Sequence, residues 1–260
     1  MISYQELFRS HSKFINHIPF IKLGEIDNLS ELTNEALNFY KNRKPTALLS
    51  IHPTDLEYTG VDVLGIYDYA GQDISHIGES YLEEHHNSIV PELNYQKGEQ
   101  TVQTELGKDL PKISTLISNL MNFPGRVRLS KLQPHKHGGW HSHGSCPLLE
   151  ITLHIPLVSN TLVQAQVGYC STRNDGYQYL IPKTYHSTHF KPGEIWLLNG
   201  MMSHRVINDS DQERVHIWSQ SFFLDNYKNI VNPKLMSMLT AAISEYQGPY
   251  VEEQFAQNQH

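Results

Sequence analysis

The chain has 260 residues, 39% of them hydrophobic, which is enough to bury one good core and a smaller flanking layer. Its formal net charge of −7 at pH 7, without any basic block, argues against nucleic acid or an anionic membrane as a partner. Two cysteines are too few for a disulfide framework, and no apolar run approaches the roughly 18 residues that span a bilayer. Because the first residues also lack a signal-peptide pattern, we expect a soluble, cytoplasmic protein.

Helical periodicity marks three segments. Apolar side chains recur at three- and four-residue spacing in residues 29–40 and again in residues 113–121, after which Pro124 and Gly125 stop the pattern. Residues 233–246 show the same spacing and are expected to pack on the outside of a β core. We therefore divide the chain into a mixed, partly helical N-terminal region packing on the core (1–125), a β core (126–225) and a C-terminal helical segment (226–260).

Between these helices the sequence changes to short alternating strands. In residues 149–157, aliphatic side chains occupy one face, whereas Glu150, Thr152 and His154 share the other. Residues 214–223 alternate in the same way. Several strands separated by turn residues predict a closed or two-sheet antiparallel barrel. The expected fold class is mainly β with flanking helices.

Two histidine-containing segments carry the candidate metal chemistry. The first, residues 133–144, holds His135, His137, His141 and His143. His135 and His137 are expected to lie near the entrance of the candidate metal site, where they are either exposed to solvent or bind substrate. Residues two apart on an extended segment point the same way, so His141 and His143 could pair, with His204 as the distant partner. A non-haem Fe(II) oxygenase uses three protein ligands, usually two histidines and a carboxylate, and leaves the other positions open. Zinc held by three histidines is the rival interpretation.

Several short motifs in this region share an order and a spacing with a known family. They are Leu132-Gln-Pro134, His141 seven residues after that proline, His154-Ile-Pro-Leu157, Gly193-Glu-Ile-Trp196, His204, Asn208 and Arg214. Over residues 126–223 they resemble the aspartyl/asparaginyl β-hydroxylase-like branch of the 2-oxoglutarate- and Fe(II)-dependent oxygenases. The resemblance implies a double-stranded β-helix core, which is a jelly-roll, cupin-like fold. It also implies Fe(II) held by His141 and His204, and 2-oxoglutarate held by Ser130, His154 and Arg214. A guanidinium suits that task because its planar fork can pair with a carboxylate through two parallel hydrogen bonds.

Two positions near these motifs depart from the family pattern without touching the metal. His135 stands where the family usually has glycine, so we expect a differently built turn before the first ligand. Thr152 stands where an arginine often helps to hold 2-oxoglutarate. Arg214 and His154 would then contribute more to the binding of 2-oxoglutarate.

The third departure concerns the metal centre itself. His143 stands where many relatives have the ligand aspartate, and an imidazole in place of a carboxylate makes the centre more positive by one charge. Three alternatives are open: His143 is a third ligand, it points away and leaves two histidines, or Glu150 or Glu194 supplies a carboxylate. We prefer the first, which gives His141, His143 and His204 as the metal ligands.

Other residues have weaker predicted roles. His216 shares a strand face with the proposed cosubstrate residues, so it either touches cosubstrate or substrate or is a core histidine. Trp196 and Trp218 are expected to pack in the core, as large aromatic side chains in strands usually do. His186 and His189 are expected to lie in a loop before the Gly193 turn.

The sequence supports three functional hypotheses. The leading one is a non-haem Fe(II)/2-oxoglutarate-dependent dioxygenase that hydroxylates an unactivated C–H bond of an amino acid, a peptidyl residue or a related small molecule. The alternatives are a three-histidine cupin-like dioxygenase that does not use 2-oxoglutarate, and a non-catalytic metal-binding β-barrel. The sequence specifies neither the substrate nor the oligomeric state.

Overall fold

A computed structural model of the chain describes residues 18–42, 61–69, 101–121, 127–140, 150–168, 182, 184–200, 202–222 and 233–248. The strands are β1 (Phe20–Glu25), β2 (Val61–Tyr69), β3 (Thr101–Gln103), β4 (Val127–Leu132), β5 (Lys136–His137), β6 (Glu150–Val158), β7 (Val163–Gly168), β8 (Tyr185–Thr188), β9 (Glu194–Asn199), β10 (Ser203–Asn208) and β11 (Arg214–Phe222). The helices are α1 (Leu29–Asn42), α2 (Glu105–Lys108), α3 (Pro111–Leu120) and α4 (Pro233–Ser244). The three helices predicted from periodicity are thereby confirmed. No helix in the described ranges combines the length and the apolar character that a membrane crossing requires.

The strands form two antiparallel sheets that face each other. The larger sheet has seven strands in the order β1-β9-β6-β11-β4-β2-β3, and the smaller has four in the order β5-β10-β7-β8. Neighbours in these orders are mostly distant in sequence, as in a jelly roll, where the chain passes repeatedly between the two sheets. The predicted fold class, mainly β with a double-stranded β-helix core and flanking helices, is confirmed.

The N-terminal region contributes strands as well as helices. Strand β1 forms one edge of the larger sheet by pairing with β9, and β2 and β3 extend the opposite edge beyond β4. Before residue 126, the sequence shows helical periodicity but no clear strand pattern. The larger sheet therefore extends beyond the segment 126–225 that the sequence marked as the β core.

Helices α1, α3 and α4 cover the outer face of the larger sheet. Leu32, Ile113 and Leu239, one from each helix, belong to the same buried cluster as Ile155 and Ile217 of the sheet. Burying one such aliphatic side chain stabilises the fold by about 1.5–3 kcal/mol. These contacts fix which face of each strand is turned outward. Residues that alternate with the outward ones must face the smaller sheet.

A second apolar cluster lies between the two sheets. Its buried members are Phe20, Ala165, Val167, Phe190, Leu198 and Met202, and the half-buried Trp196 packs against them. The Trp196 ring stacks on Phe190 with 4.6 Å between centroids and 10° between planes. The predicted core position of Trp196 is confirmed. This cluster forms the dry wall of the interior in which the candidate site lies.

Candidate active site

The residues proposed to hold 2-oxoglutarate lie on three neighbouring strands of the larger sheet. In the β11–β4 pair His216 lies opposite Ser130, and in the β11–β6 pair Trp218 lies opposite His154. Arg214 precedes His216 by two residues and therefore shares its face. Since Val215 and Ile217 belong to the outer core, the face that carries Arg214 and His216 is the inner one. The fold thus brings the three predicted residues Ser130, His154 and Arg214 to one side of the sheet.

Arg214 is a buried cation without a counter-charge in the described part of the chain. Its relative exposure is 3%, and neither a hydrogen bond nor an ion pair of its guanidinium occurs among the described residues. Burial lowers the pKa of Arg214 to about 9, well below the usual range of a guanidinium. A buried charge is costly unless an anion and hydrogen bonds compensate it. The interior is therefore suited to a carboxylate ligand.

Two imidazoles stack beside this guanidinium. The rings of His154 and His216 lie 5.5 Å apart with 8° between their planes. Burial, the charge of Arg214 and that of His154 lower the pKa of His216 well below its ordinary value. The ring of His216 is therefore neutral at pH 7 and offers hydrogen bonds rather than charge.

Two polar atoms next to these rings have no partner within the described structure. They are Nδ1 of His216 and Oγ1 of Thr152, both fully buried. An unsatisfied buried polar atom costs about 1–3 kcal/mol, so such atoms mark places that a bound polar molecule can fill.

His204 lies on the facing sheet with its ring oriented for metal binding. It is 6% exposed, and its β7 partner Val167 belongs to the cluster between the sheets, so the imidazole faces inward. Nδ1 of His204 lies 2.9 Å from the carbonyl oxygen of Met202. Because a carbonyl only accepts, this contact assigns the proton to Nδ1 and leaves the lone pair on Nε2. A backbone carbonyl in this role is typical of metal-ligating histidines.

The other predicted metal ligands lie outside the described residues. This holds for His141 and His143, and also for the side chain of Glu150. Among the described residues, no three His, Cys, Asp or Glu side chains gather in a group that could hold a metal ion. The ligand set of His141, His143 and His204 therefore stays a prediction, to which the structure adds the orientation of His204.

Glu194, the alternative source of a carboxylate ligand, is held by other groups. Its carboxylate oxygens accept hydrogen bonds from Lys22 Nζ (2.8 Å), Lys191 N (2.9 Å) and Trp196 Nε1 (2.8 Å). Burial alone would raise the pKa of Glu194, but these hydrogen bonds lower it overall. The carboxylate is thus ionised and held at the start of β9. Metal binding there would require these three bonds to break.

Two motif residues have structural roles that the sequence did not reveal. Gly193 has a φ of 85°, in the region that side chains disfavour, which explains a glycine before β9. Asn208 is fully buried, and its Nδ2 donates to the carbonyl oxygens of Leu132 (3.2 Å), Gln133 (3.0 Å) and Gln212 (2.8 Å). It therefore ties the end of β10 to the end of β4 and to the turn before β11.

Two histidines outside the proposed ligand set, His135 and His186, lie in the described turns and strands. His135 has a φ of 54°, the left-handed conformation that glycine favours. The expected difference between this turn and the family's turn stays a prediction. Its exposed ring contacts Asp211 at 2.8 Å. His186 was predicted in a loop, and this is wrong: it lies in β8 opposite Val167, the residue that also faces His204. His186 thus shares the inner face of the smaller sheet. A four-residue strand gives too little alternation for the sequence to reveal it.

A jelly roll whose interior combines a guanidinium without a counter-charge among the described residues, two stacked imidazoles and an inward-facing histidine offers groups suited to a carboxylate and to a metal ion. The family described as aspartyl/asparaginyl beta-hydroxylase matches residues 90–222. The chain belongs to this family, and the predicted resemblance is confirmed. It is accordingly an oxygenase of the 2-oxoglutarate/Fe(II) type.

Structural comparison with solved proteins finds matches of low sequence identity, including the following three. The non-heme alpha ketoglutarate dependent epimerase SnoN from nogalamycin biosynthesis shares 11% identity over 82% of each chain, with a TM-score of 0.48. The carbocyclase SnoK from the same biosynthesis shares 13% identity over 85% of each chain, with a TM-score of 0.43. An oxidoreductase of the 2OG-Fe(II) oxygenase family from Burkholderia pseudomallei shares 12% identity over 78% of this chain and 82% of its own, with a TM-score of 0.41. No curated protein matches the chain.

Proposed function

We propose that this protein is an Fe(II)/2-oxoglutarate-dependent dioxygenase that hydroxylates an unactivated C–H bond of an amino acid, a peptidyl residue or a related small molecule. The observation that carries the proposal is the buried Arg214 guanidinium, which has no counter-charge among the described residues and faces the interior shared with His204. When bound, the iron and 2-oxoglutarate supply the oxidising chemistry: O₂ is consumed, 2-oxoglutarate becomes succinate and CO₂, and a substrate C–H becomes C–OH.

Arg214 binds the far carboxylate of 2-oxoglutarate in this proposal. Its planar fork supplies two parallel donors, and the ligand supplies the missing negative charge. Ser130 and His154, on the neighbouring strands, add a hydroxyl and an imidazole to the same pocket. Nδ1 of His216 is a further hydrogen-bonding atom without a protein partner in the described structure. With threonine at position 152, the pocket relies on one guanidinium and on neutral polar groups.

The iron would be held by His204 and, outside the described residues, by His141 and His143. The Met202 carbonyl fixes the His204 ring so that the Nε2 lone pair faces away from the backbone. Such orientation lowers the entropy cost of metal binding, because the ring does not have to reorganise.

The aromatic cluster between the sheets keeps the pocket dry. The Phe190 ring lies 6.0 Å from the His154 ring, measured between centroids, and stacks on Trp196. Phe20 contacts Phe190 and Trp196 edge-on. Excluding water lowers the local dielectric constant and strengthens the attraction between a guanidinium and a carboxylate. The same wall would protect the reacting centre from water.

The substrate is proposed to be a small molecule or a peptidyl side chain, since the net charge of −7 disfavours polyanions. A cytoplasmic location and the absence of nucleic-acid and membrane partners remain part of the proposal.

The test is a titration of anaerobic protein with Fe(II) and then with 2-oxoglutarate. Formation of the ternary complex is monitored by its visible charge-transfer band. We expect one Fe(II) per chain and a band in wild type, and loss of iron from His204→Ala. His189→Ala is the matched control, because His189 is bonded to the Val163 carbonyl (3.0 Å) and is not a proposed ligand. Full iron occupancy in His204→Ala would contradict the assignment of His204 as a metal ligand. Iron binding without any effect of 2-oxoglutarate, together with O₂ uptake in its absence, would favour the three-histidine dioxygenase instead.

A further inference from the structure

Trp140 and Arg205 are sequence neighbours of two proposed iron ligands, and their side chains meet. Trp140 precedes His141, and Arg205 follows His204. The guanidinium carbon of Arg205 lies 4.6 Å from the centroid of the Trp140 ring. This distance is within the range of a cation–π interaction, which Arg and Trp form most favourably. Neither residue is a proposed ligand of the iron or of 2-oxoglutarate.

The stack is anchored on both sides. Arg205 Nε donates to Gln166 Oε1 on the neighbouring strand β7 at 2.8 Å. Trp140 is only 8% exposed, and its ring also contacts Tyr185 of β8 with 5.5 Å between centroids. The side chains of β10, β7 and β8 thus form a fixed support for the indole. A packed and hydrogen-bonded support of this kind holds a side chain in one geometry.

The backbone before Trp140 is attached to the same strand. Strand β5 pairs with β10 through His137 opposite Ile207, and Gly138 N donates to Val206 O at 2.9 Å. This pairing covers only the first residues of the segment. Beyond Gly138, the stack of Trp140 on Arg205 continues the attachment of this segment to β10 toward the first proposed ligand.

The position of the stack relative to His204 follows from strand alternation. His204 faces the interior, so Arg205, the next residue of β10, projects from the opposite face of the smaller sheet. Trp140 therefore contacts β10 from outside, directly behind the ligand. Movement of the segment that leads to His141 would have to break this contact.

We propose that the Trp140–Arg205 stack is a positioning clamp that fixes the segment leading to His141 on β10 and thereby sets the spacing of the iron-binding histidines. The inference rests on the proposed function, because it requires that His141 and His204 bind iron. Neither clamp residue is a proposed metal ligand, so each would act by positioning the ligand next to it in the sequence. Groups that orient metal ligands typically contribute about 10- to 100-fold to metal affinity.

The experiment is a double-mutant cycle on metal affinity. Fe(II) affinity is measured anaerobically by competition with a chelator for wild type, Trp140→Ala, Arg205→Met and the double variant. We expect each single variant to bind Fe(II) about 10-fold more weakly or worse. The double variant should be no weaker than the weaker single, because both substitutions break one contact. Trp140→Phe, which retains a ring face, should recover most of the affinity.

A second pair in the chain supplies the matched control. Lys131 Nζ lies 5.1 Å from the centroid of the Tyr40 ring, in a cation–π contact between β4 and α1 on the outer side of the larger sheet. Lys131 also forms an ion pair with Glu213 at 3.0 Å, so Lys131→Met should lower the melting temperature. It should leave the Fe(II) affinity within about 2-fold, since no proposed metal ligand adjoins that pair. The ligand-field spectrum of Co(II)-substituted protein adds a readout that altered stability alone would not change. We expect it to shift in Trp140→Ala and to match wild type in Lys131→Met.

The outcomes separate the clamp from the function on which it rests. Wild-type iron binding with unchanged affinity in Trp140→Ala and Arg205→Met would overturn the clamp and leave the proposed function standing. Losses that multiply in the double variant would also overturn it, because the two residues would then act independently. Wild type that binds no Fe(II) would overturn both. If Trp140→Ala is unfolded at the assay temperature, Arg205→Met against Arg205→Lys decides: recovery of affinity by lysine supports the clamp, and equal loss contradicts it.

Discussion

Replacing Arg214 by methionine is expected to stabilise the ligand-free protein while removing its affinity for 2-oxoglutarate. Methionine has a similar length and no charge, so it can fill the site without a counter-ion. In most buried ion pairs, removal of one partner is destabilising because the other charge is left unpaired. Here the described structure contains no partner for the Arg214 guanidinium, so removing the charge removes a cost instead.

The magnitude follows from the pKa. Burial lowers the pKa of Arg214 from its usual range to about 9, which corresponds to a cost of several kcal/mol for the charged form. Relaxation and water recover part of this cost, so we expect Arg214→Met to gain about 1–3 kcal/mol in the free energy of unfolding at pH 7. The pKa of Arg214 is lower in the folded state than in the unfolded state, so the folded protein loses the Arg214 proton at a lower pH. The free-energy cost of the buried charge therefore decreases as the pH rises. The difference between wild type and variant should therefore narrow above pH 9.

Denaturant unfolding of metal-free protein measures the stability, with Arg128→Met as the matched control. Arg128 is also buried, at 2% exposure, but its Nη1 donates to the carbonyl oxygen of Tyr67 at 3.0 Å, so its replacement should destabilise. Calorimetry of the Fe(II) protein then measures 2-oxoglutarate affinity. Arg214→Lys should weaken binding by about 1.5–3 kcal/mol, the size of a charge-assisted hydrogen bond, with iron binding nearly unchanged. A loss of more than about 1 kcal/mol of stability in Arg214→Met, with equal 2-oxoglutarate affinity, would instead place Arg214 in a structural ion pair.

The remaining predictions concern the metal centre, the imidazole pair and the core. His143→Ala is expected to lower Fe(II) affinity about 10-fold or more, whereas His143→Asp should retain it as a two-histidine, one-carboxylate centre. Parallel Fe(II) titrations measure this, and unchanged affinity in the alanine variant would rule out His143 as a ligand. His216→Phe keeps a ring against His154 but removes the hydrogen-bonding nitrogens, so the Kd for 2-oxoglutarate should rise about 2- to 10-fold while Fe(II) affinity stays constant. Calorimetry with equal Kd values would make His216 a packing residue. Ile155→Ala, at 1% exposure under the helices, should cost about 2–5 kcal/mol in denaturant unfolding. Leu162→Ala, at 55% exposure, is its control, and equal stability of the two variants would contradict the outer core.

Local periodicity was sufficient to predict much of the architecture. The three- and four-residue spacing of apolar side chains located α1, α3 and α4, and strict alternation correctly separated Ile155 from Thr152 and His154. Both patterns are readable without tertiary contacts because each follows from the geometry of one isolated element. The order and spacing of the short motifs then identified the aspartyl/asparaginyl beta-hydroxylase family.

Strands that are too short to show alternation could not be predicted without knowledge of the strands they pair with. Strand β3 has three residues and β8 has four, so neither carries enough alternation to be distinguished from a loop. Their conformation is stabilised by backbone pairing with β2 and β7. His186 was misplaced for this reason, and its inward orientation is set by the register with Val167.

The roles of the site residues were decided by contacts between segments far apart in the chain. Lys22 reaches Glu194 across 172 residues, and this ion pair holds the carboxylate that the sequence left open as a metal ligand. Likewise, Arg214 has no counter-charge among the described residues because of which side chains the fold places around it, and that information is not local. The amino-acid sequence by itself therefore determined which chemical groups are present and on which strand faces they lie. Only the tertiary structure decided which of them are already bonded to protein and which are left for a ligand, because a side chain is committed by its partner in space.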